Sequence, residues 1–446
     1  MIWRKIEKRL EAFYKANGRY ALLVDGARQV GKTYSIEEFG RTHYDSVVKI
    51  DFVQMPGAVN LFRDVEDESE VLMRISAFTD TPMIPGRTLV FFDEVQKCPE
   101  AITFIKYLVK EAGHYHYILS GSLLGIELKN IRSVPVGTMD EVRMYPLDFE
   151  EFVLAVGGNQ ELVNAARTGW ETRQPVAKVL HDRLMRFFRL YLVVGGMPAA
   201  VQRYIDTKDI RQVLSEQQAI LVEYRKDISQ YDEDNSLRIR MVFDRLAPEL
   251  SKKNKRFYAD SLPECGRFER LEDEFVWLTE AGVAIPAFNV SEPKLPLRLA
   301  EKPNFFKLFM NDVGLLAAMY MNGIQVRILN GEAEMNFGAV YENVIAQELT
   351  AHGFRPTYYT SRIHGEIDFV VEYNGRVLPI EVKCGKDYAR HRALSRIMGI
   401  VDYGIREAIV FDRDALRVVN NIFYAPIYMM MFLKSDNLPD QMIYEV

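Results

Sequence analysis

The sequence predicts a multidomain α/β protein. A parallel-sheet domain carrying a P-loop comes first, then a helical, winged-helix-like middle, then a second α/β domain. Three observations predict it. Gly26 to Thr33 read G-x-x-x-x-G-K-T between an apolar run and an amphipathic stretch. Short apolar runs alternate with amphipathic stretches up to about residue 150, the rhythm of βα units. Near the other end, Asp368 and the pair Glu381 and Lys383 flank a hairpin turn at Asn374-Gly375. At 446 residues the chain is too long for one core.

The expected strands of the first domain are Tyr20–Val24, Val47–Phe52, Thr88–Asp93 and His116–Ser120. Ala101–Glu111 reads as a helix with Ile102, Ile105 and Leu108 on one face. From 150 to 235 the pattern is helical, with a new helix expected at Pro198 after Gly195-Gly196-Met197. Residues 237–300 hold the basic run Lys252-Lys253-Asn254-Lys255-Arg256 and a helix over Leu271–Ala281 ending at Gly282. A winged helix and a plain helical linker both suit that segment. Phe337–His352 reads as a helix ended by Gly353, Ile367–Tyr373 and Val377–Val382 as a hairpin, and Tyr388–Met398 as a basic helix. The expected boundaries are 1–160, 161–235, 236–300 and 301–446.

Composition narrows the class. Hydrophobic residues make up 48% and charged residues 26%, ordinary for a globular chain. A net charge of −6 confines any nucleic-acid contact to a local basic patch. Cys98, Cys265 and Cys384 are far apart and show no zinc spacing, which suits reduced thiols and a cytoplasmic location. The start has no signal-peptide core, and the apolar run Ile422–Leu433 is broken by Pro426 and too short to span a bilayer. No membrane partner is expected.

In the loop, Gly26, Ala27, Arg28, Gln29, Val30 and Gly31 would wrap phosphates with backbone N–H groups. The next helix adds its positive end. Lys32 would reach the β- and γ-phosphates and Thr33 would ligate Mg²⁺. Leu89–Glu94 is an apolar strand ending in two acids: Asp93 to hold Mg²⁺ through water, and Glu94 to polarise the attacking water. Ser120 or Ser122 could sense the γ-phosphate, and a simple turn explains that tripeptide as well. Arg132 and Arg143 are arginine-finger candidates by position alone. The expected cofactors are ATP and Mg²⁺.

The second cluster rests on strand periodicity. Period two puts Glu366 and Asp368 on one face with Ile367 and Phe369 on the other, and Glu381 with Lys383 on one face. A hairpin would gather Asp368, Glu381 and Lys383. Two carboxylates suit a hard cation, which would activate water against a phosphodiester, with Lys383 stabilising charge. The order D…E-x-K is that of the PD-(D/E)xK nuclease core. Glu342 on the preceding helix is the expected third carboxylate and metal ligand, with Glu348 as the alternative. Lys386, Arg390, Arg392 and Arg396 could meet a DNA or RNA backbone. A salt-bridged hairpin without catalysis is the competing reading.

The motifs together resemble a known group: AAA-type ATPases of bacteria and archaea in which an AAA_14 domain is joined to a DUF4143 domain. The loop, Phe92–Gln96, Leu119–Ser122, Tyr145–Phe152 and Gly195–Pro198 carry the resemblance. So do Phe306–Phe309, Asp312–Leu315, Tyr341–Asn343, Gly365–Phe369 and Ile380–Lys383. It covers nearly the full length, in order. It implies an AAA-type ATPase domain, a helical and winged-helix-like middle, and a restriction-endonuclease-like C-terminal domain. Gly137-Thr138 stands where relatives tend to have Gly-Arg. The expected activity is ATP hydrolysis that drives or gates a domain acting on nucleic acid. The alternative is an ATP-dependent switch with a non-catalytic C-terminal domain. A homo-oligomer or protein partner is compatible with either.

Overall fold

The computed structural model describes residues 2–111, 114–122, 137–231, 233–252, 254–257, 272–320, 323–332, 338–383 and 391–435. They divide into two compact units. One is Met1–Pro146 with Val276–Val283, the other Leu147–Phe275 with Ala284–Val446.

The first unit is a parallel sheet between helices. Its strands are β1 (Ala21–Asp25), β2 (Ser46–Asp51), β3 (Thr88–Asp93), β4 (His116–Gly121) and β5 (Met139–Arg143), in the order β2-β3-β4-β1-β5. Every pairing is parallel. Continuous apolar runs suit strands covered on both faces. Alternate residues feed two cores. Leu22, Val24, Leu89, Phe91 and Ile118 pack with Leu10 and Phe13 of α1 (Glu7–Lys15) and Ile36 and Phe39 of α2 (Lys32–His43). Leu23, Ile50, Val90, Phe92 and Leu119 pack with Val71 and Ile75 of α3 (Glu68–Thr79) and Ile105 and Leu108 of α4 (Pro99–Glu111). The strand β5 was not expected. Its burial is only partial, so it lacks a strong apolar signature.

The second unit begins with α5 (Phe149–Ala155), capped by a reciprocal Asp148 and Glu151 box. It continues through α6 (Gln160–Thr172), α7 (Lys178–Val194), α8 (Pro198–Thr207), α9 (Ile210–Tyr231) and α10 (Glu233–Leu250). The helix α11 (Glu272–Glu280) follows. An eight-stranded mixed sheet comes next, in the order β12-β13-β11-β10-β9-β8-β6-β7. Its strands are β6 (Ala284–Val290), β7 (Glu301–Met310), β8 (Thr357–Ser361), β9 (Gly365–Tyr373), β10 (Arg376–Val382), β11 (Ala408–Asp412), β12 (Arg417–Val419) and β13 (Ile422–Pro426). Helices α12 (Val313–Met319), α13 (Ile324–Leu329), α14 (Gly338–Ala351) and α15 (Arg392–Met398) accompany it.

Two expectations change here. Residues 236–300 do not stand apart, because β6 pairs with β7 and β8, so a boundary at 300 would cut a hairpin. Face alternation along β9 is also broken. The register against β8 shifts between Thr357 and Tyr359, which face Val370 and Ile367. That adds one residue to β9, a bulge. Ile367 then shares a core with Val370, while Phe369 meets Phe309 at 5.5 Å between ring centres.

Glycines lock the second unit. A Cβ on Gly195, whose φ is +72°, would lie 2.1 Å from Asp312 Oδ1, and one on Gly314 would lie 2.6 Å from the Gly195 nitrogen. Asp312 Oδ2 accepts the Gly196 N–H at 2.6 Å and Oδ1 accepts that of Leu315 at 2.9 Å. Among the described residues, no single helix is long and apolar enough to cross a membrane.

Candidate functional site

The P-loop joins β1 to α2. Gly26 needs its freedom: its φ is +149°, and a Cβ would sit 2.2 Å from the Met144 carbonyl oxygen. Gln29 (φ 65°) and Gly31 (φ 95°) are also left-handed, and Ala27 and Val30 are buried beneath. Gly31 opens α2 without a side-chain cap. The first helical amides are therefore not taken by a side chain, the arrangement that binds anions. Arg4 braces the loop from α1's side, donating to the carbonyls of Val30 at 2.9 Å and Tyr145 at 2.7 Å.

Lys32 is buried and donates to the loop's own carbonyls, Gly26 at 2.8 Å and Ala27 at 2.9 Å. Burial pulls its pKa below the usual lysine value, although Glu94, Asp25 and Asp93 work to raise it. Thr33 Oγ1 donates to Asp93 Oδ2 at 2.9 Å. Strand order explains Ser120. Because β4 lies between β1 and β3, its end reaches Asp93, and Ser120 Oγ donates to Oδ1. Ser122 Oγ donates to Glu94 Oε2 at 3.3 Å, and Gln96 Nε2 donates to the same oxygen. Glu94 holds a left-handed backbone, φ 53°, which costs a non-glycine residue about 1 kcal/mol or more.

These donors suit Mg²⁺ with a nucleoside triphosphate. A hydroxyl, a buried carboxylate and an ammonium converge beside a glycine cradle. Sequence reasoning missed Lys49, whose Nζ stands 3.5 Å from Asp93 and 2.6 Å from Glu37. The β2–β3 register could have found it, since Lys49 lies opposite Phe91. Arg143 donates to the carbonyls of Thr279 and Glu280 at 3.2 Å and lies 3.7 Å from Asp25. It therefore tethers a helix end beside the start of the loop. Arg132 lies outside the described residues.

The C-terminal cluster is two ion-paired groups with Asp368 between them. In one, buried Lys307 of β7 reaches Glu366 at 2.7 Å and Glu342 of α14 at 3.5 Å, and Lys255 also pairs with Glu342. Burial works to raise the Glu342 carboxyl, but Lys307 and Lys255 outweigh it and hold it below the usual range. In the other, Lys383 pairs with Glu381, and His391 Nδ1 stands 3.6 Å from it, too long for a hydrogen bond. Asp368 Oδ2 accepts the Val382 N–H at 2.8 Å, just past the last ladder pair, Phe369 with Ile380. Burial, Glu342 and Glu381 push its carboxyl up to about 7, against Lys307 and Lys383.

Oxygen donors of the right kind for a metal are present, with Glu342 and Glu381 each paired to lysine. Among the described residues no group of three or more His, Cys, Asp or Glu side chains could hold one. Of the expected metal trio, Glu342 and Glu381 are paired with lysines, and Asp368 lies between them holding the Val382 N–H. Glu348, the alternative, is buried in structural bonds: it accepts the Phe149 N–H at 2.8 Å and the Tyr191 hydroxyl at 3.3 Å. Lys386 and Arg390 lie outside the described residues. Arg396 donates to the Ile363 carbonyl at 2.9 Å. Lys307 and Lys255 were not expected in this cluster, because no spacing rule links them to Glu342.

Fold and loop together define a P-loop nucleotide-binding domain followed by a second α/β module. Residues 18–153 match the AAA_14 family, described as an AAA domain. Residues 337–428 match DUF4143, and 185–326 match DUF8612, both described as domains of unknown function. The chain thus carries an AAA-type ATPase-like domain at its N-terminal end and a DUF4143 domain at its C-terminal end.

Similar solved structures include a Walker-type ATPase of Pyrococcus abyssi, 15% identical, covering 72% of this chain and 96% of that one, with a TM-score of 0.43. The Orc1 protein of Aeropyrum pernix, in complex with DNA, is 12% identical, covering 73% and 95%, with a TM-score of 0.28. Cdc6p of Pyrobaculum aerophilum is 11% identical, covering 74% and 96%, with a TM-score of 0.26. No curated protein matches the chain.

Proposed function

We propose that the chain binds and hydrolyses ATP, and that its nucleotide cycle drives or gates a C-terminal domain acting on nucleic acid. The observation that carries the first part is Asp93, held by both Thr33 and Ser120 next to the Lys32 loop. Thr33 and Asp93 would hold Mg²⁺, which would neutralise phosphate charge when bound. Lys32 would exchange its loop carbonyls for phosphate oxygens, a charge-assisted gain. Glu94, aimed by Gln96 and Ser122, would orient water and accept its proton. ATP hydrolysis by purified protein tests this. Lys32→Ala should abolish nucleotide binding, while Glu94→Gln should bind ATP and turn it over at least about tenfold more slowly.

For the C-terminal domain, the order Asp368, Glu381, Lys383 with helical Glu342 supports a restriction-endonuclease-like module. The middle segment is read as winged-helix-like. Metal-dependent cleavage of DNA or RNA, compared in Asp368→Asn and Lys383→Ala, is the test. Cleavage unchanged from the parent in both variants would remove the site. A second reading, recognition without cleavage, is favoured by the lysine pairing of Glu342 and Glu381. Absent cleavage, slow ATP turnover and retained salt-sensitive DNA binding would together favour it.

A further inference from the structure

We propose that a basic cleft on α7 and α8 binds single-stranded nucleic acid, taking phosphates on arginine and bases on aromatic rings. The cleft has a volume of about 430 Å³, within the range of pockets that hold nucleotide-sized ligands. Arg183, Arg186 and Arg189 line it, three residues apart along α7. At the helical rise that row is about 9 Å long, longer than one phosphate and suited to a chain of them. Phe187 and Tyr204 line the same cleft, and Lys208 Nζ lies 4.7 Å from the Tyr204 ring centre.

These cations have little structural work. Arg183 donates to the Gly157 carbonyl at 3.3 Å. Among the described residues Arg186 and Arg189 make no hydrogen bond or ion pair. Asp182, whose carboxylate feels the Arg186 charge, is paired with Lys178 at 2.8 Å. In a chain of net charge −6, such a row of cations marks a local anion site. Guanidinium groups bind phosphate bidentately and stack on bases, and aromatic rings accept any base face. Free phosphates would use the arginines and leave the rings idle.

The inference shares the nucleic-acid ligand of the proposed function but not its chemistry. Binding is therefore measured on the full chain in EDTA without ATP, where cleavage is silent and its absence changes nothing. The probe is a fluorescein-labelled oligothymidine, read by anisotropy across a salt series. Arg186→Ala/Arg189→Ala, checked by thermal melting, should bind at least tenfold more weakly. Its log–log salt slope should flatten by about 1.4, two phosphates at about 0.7 each. Phe187→Ala should lose about fivefold or more with the slope unchanged. Unchanged affinity and slope in the arginine variant would overturn the proposal. So would a wild type that does not bind at about 50 mM salt, or displacement of the oligonucleotide by equimolar tripolyphosphate.

Discussion

Asp368 is where one residue's environment has the clearest measurable consequence. Burial and two neighbouring carboxylates raise its folded pKa to about 7 from an ordinary 3.8. A carboxyl raised on folding prefers its protonated form there. Its contribution to stability is fully present below the unfolded value and is lost as pH rises through about 7. Asp368→Asn keeps an oxygen for the Val382 N–H and removes the charge. The variant should melt like the parent near pH 4 and above it at pH 8, by an amount on the order of 1–3 kcal/mol. Coincident melting curves at pH 8 would mean the carboxylate is not penalised. Lys32 and Asp93 were legible because phosphate chemistry fixes residue type and spacing together. Lys255 and Lys307 were not, since a lysine that pairs across a fold leaves no local pattern.

At the scale of elements, β1 to β4 of the first unit could be read because each is a largely apolar run of parallel-sheet length, and β5 could not because its residues are only partly buried. The hairpin at Asn374-Gly375 was equally plain, and both residues are left-handed, φ 50° and 65°. Periodicity failed at β9, where the bulge separates Ile367 from Phe369, and at β6, whose Pro286 and Asn289 hide a strand. The cap of α12 gives a sharp test. Asp312 serves two backbone donors, and burial raises its carboxyl to about 6 despite them. Asp312→Ala orphans both amides and should cost about 2–4 kcal/mol in urea unfolding at pH 7.5. A loss below about 0.5 kcal/mol would show that water replaces the carboxylate.

For the whole molecule, the division into units sets how stability responds to ligand. Only the first unit holds the P-loop, so Mg·ATP should raise the melting transition of that unit alone. At one hundred times the dissociation constant the gain is about 2.7 kcal/mol. Scanning calorimetry with and without nucleotide reads this directly, and a parallel rise in every transition would contradict it. Val276–Val283, which includes buried Trp277 and Leu278, belongs to the first unit although it is distant in sequence. A fragment ending at residue 160 lacks it. That fragment should be markedly less soluble than the full chain, judged by the protein left after centrifugation. The boundary expected at 160 could not anticipate this, because a segment that returns from far along the chain carries no compositional mark.

The pocketed carboxylate of Asp312 has a bearing on ancestry. Gly195, Gly196 and Gly314 touch it or one another so closely that a methyl group at Gly195 or Gly314 would collide, although Gly196 and Asp312 are 116 positions apart. Drift at one site therefore costs stability unless the others drift with it. Among descendants of a common forebear, the quartet should be inherited whole, a fingerprint by which remote kin could be told from chance look-alikes.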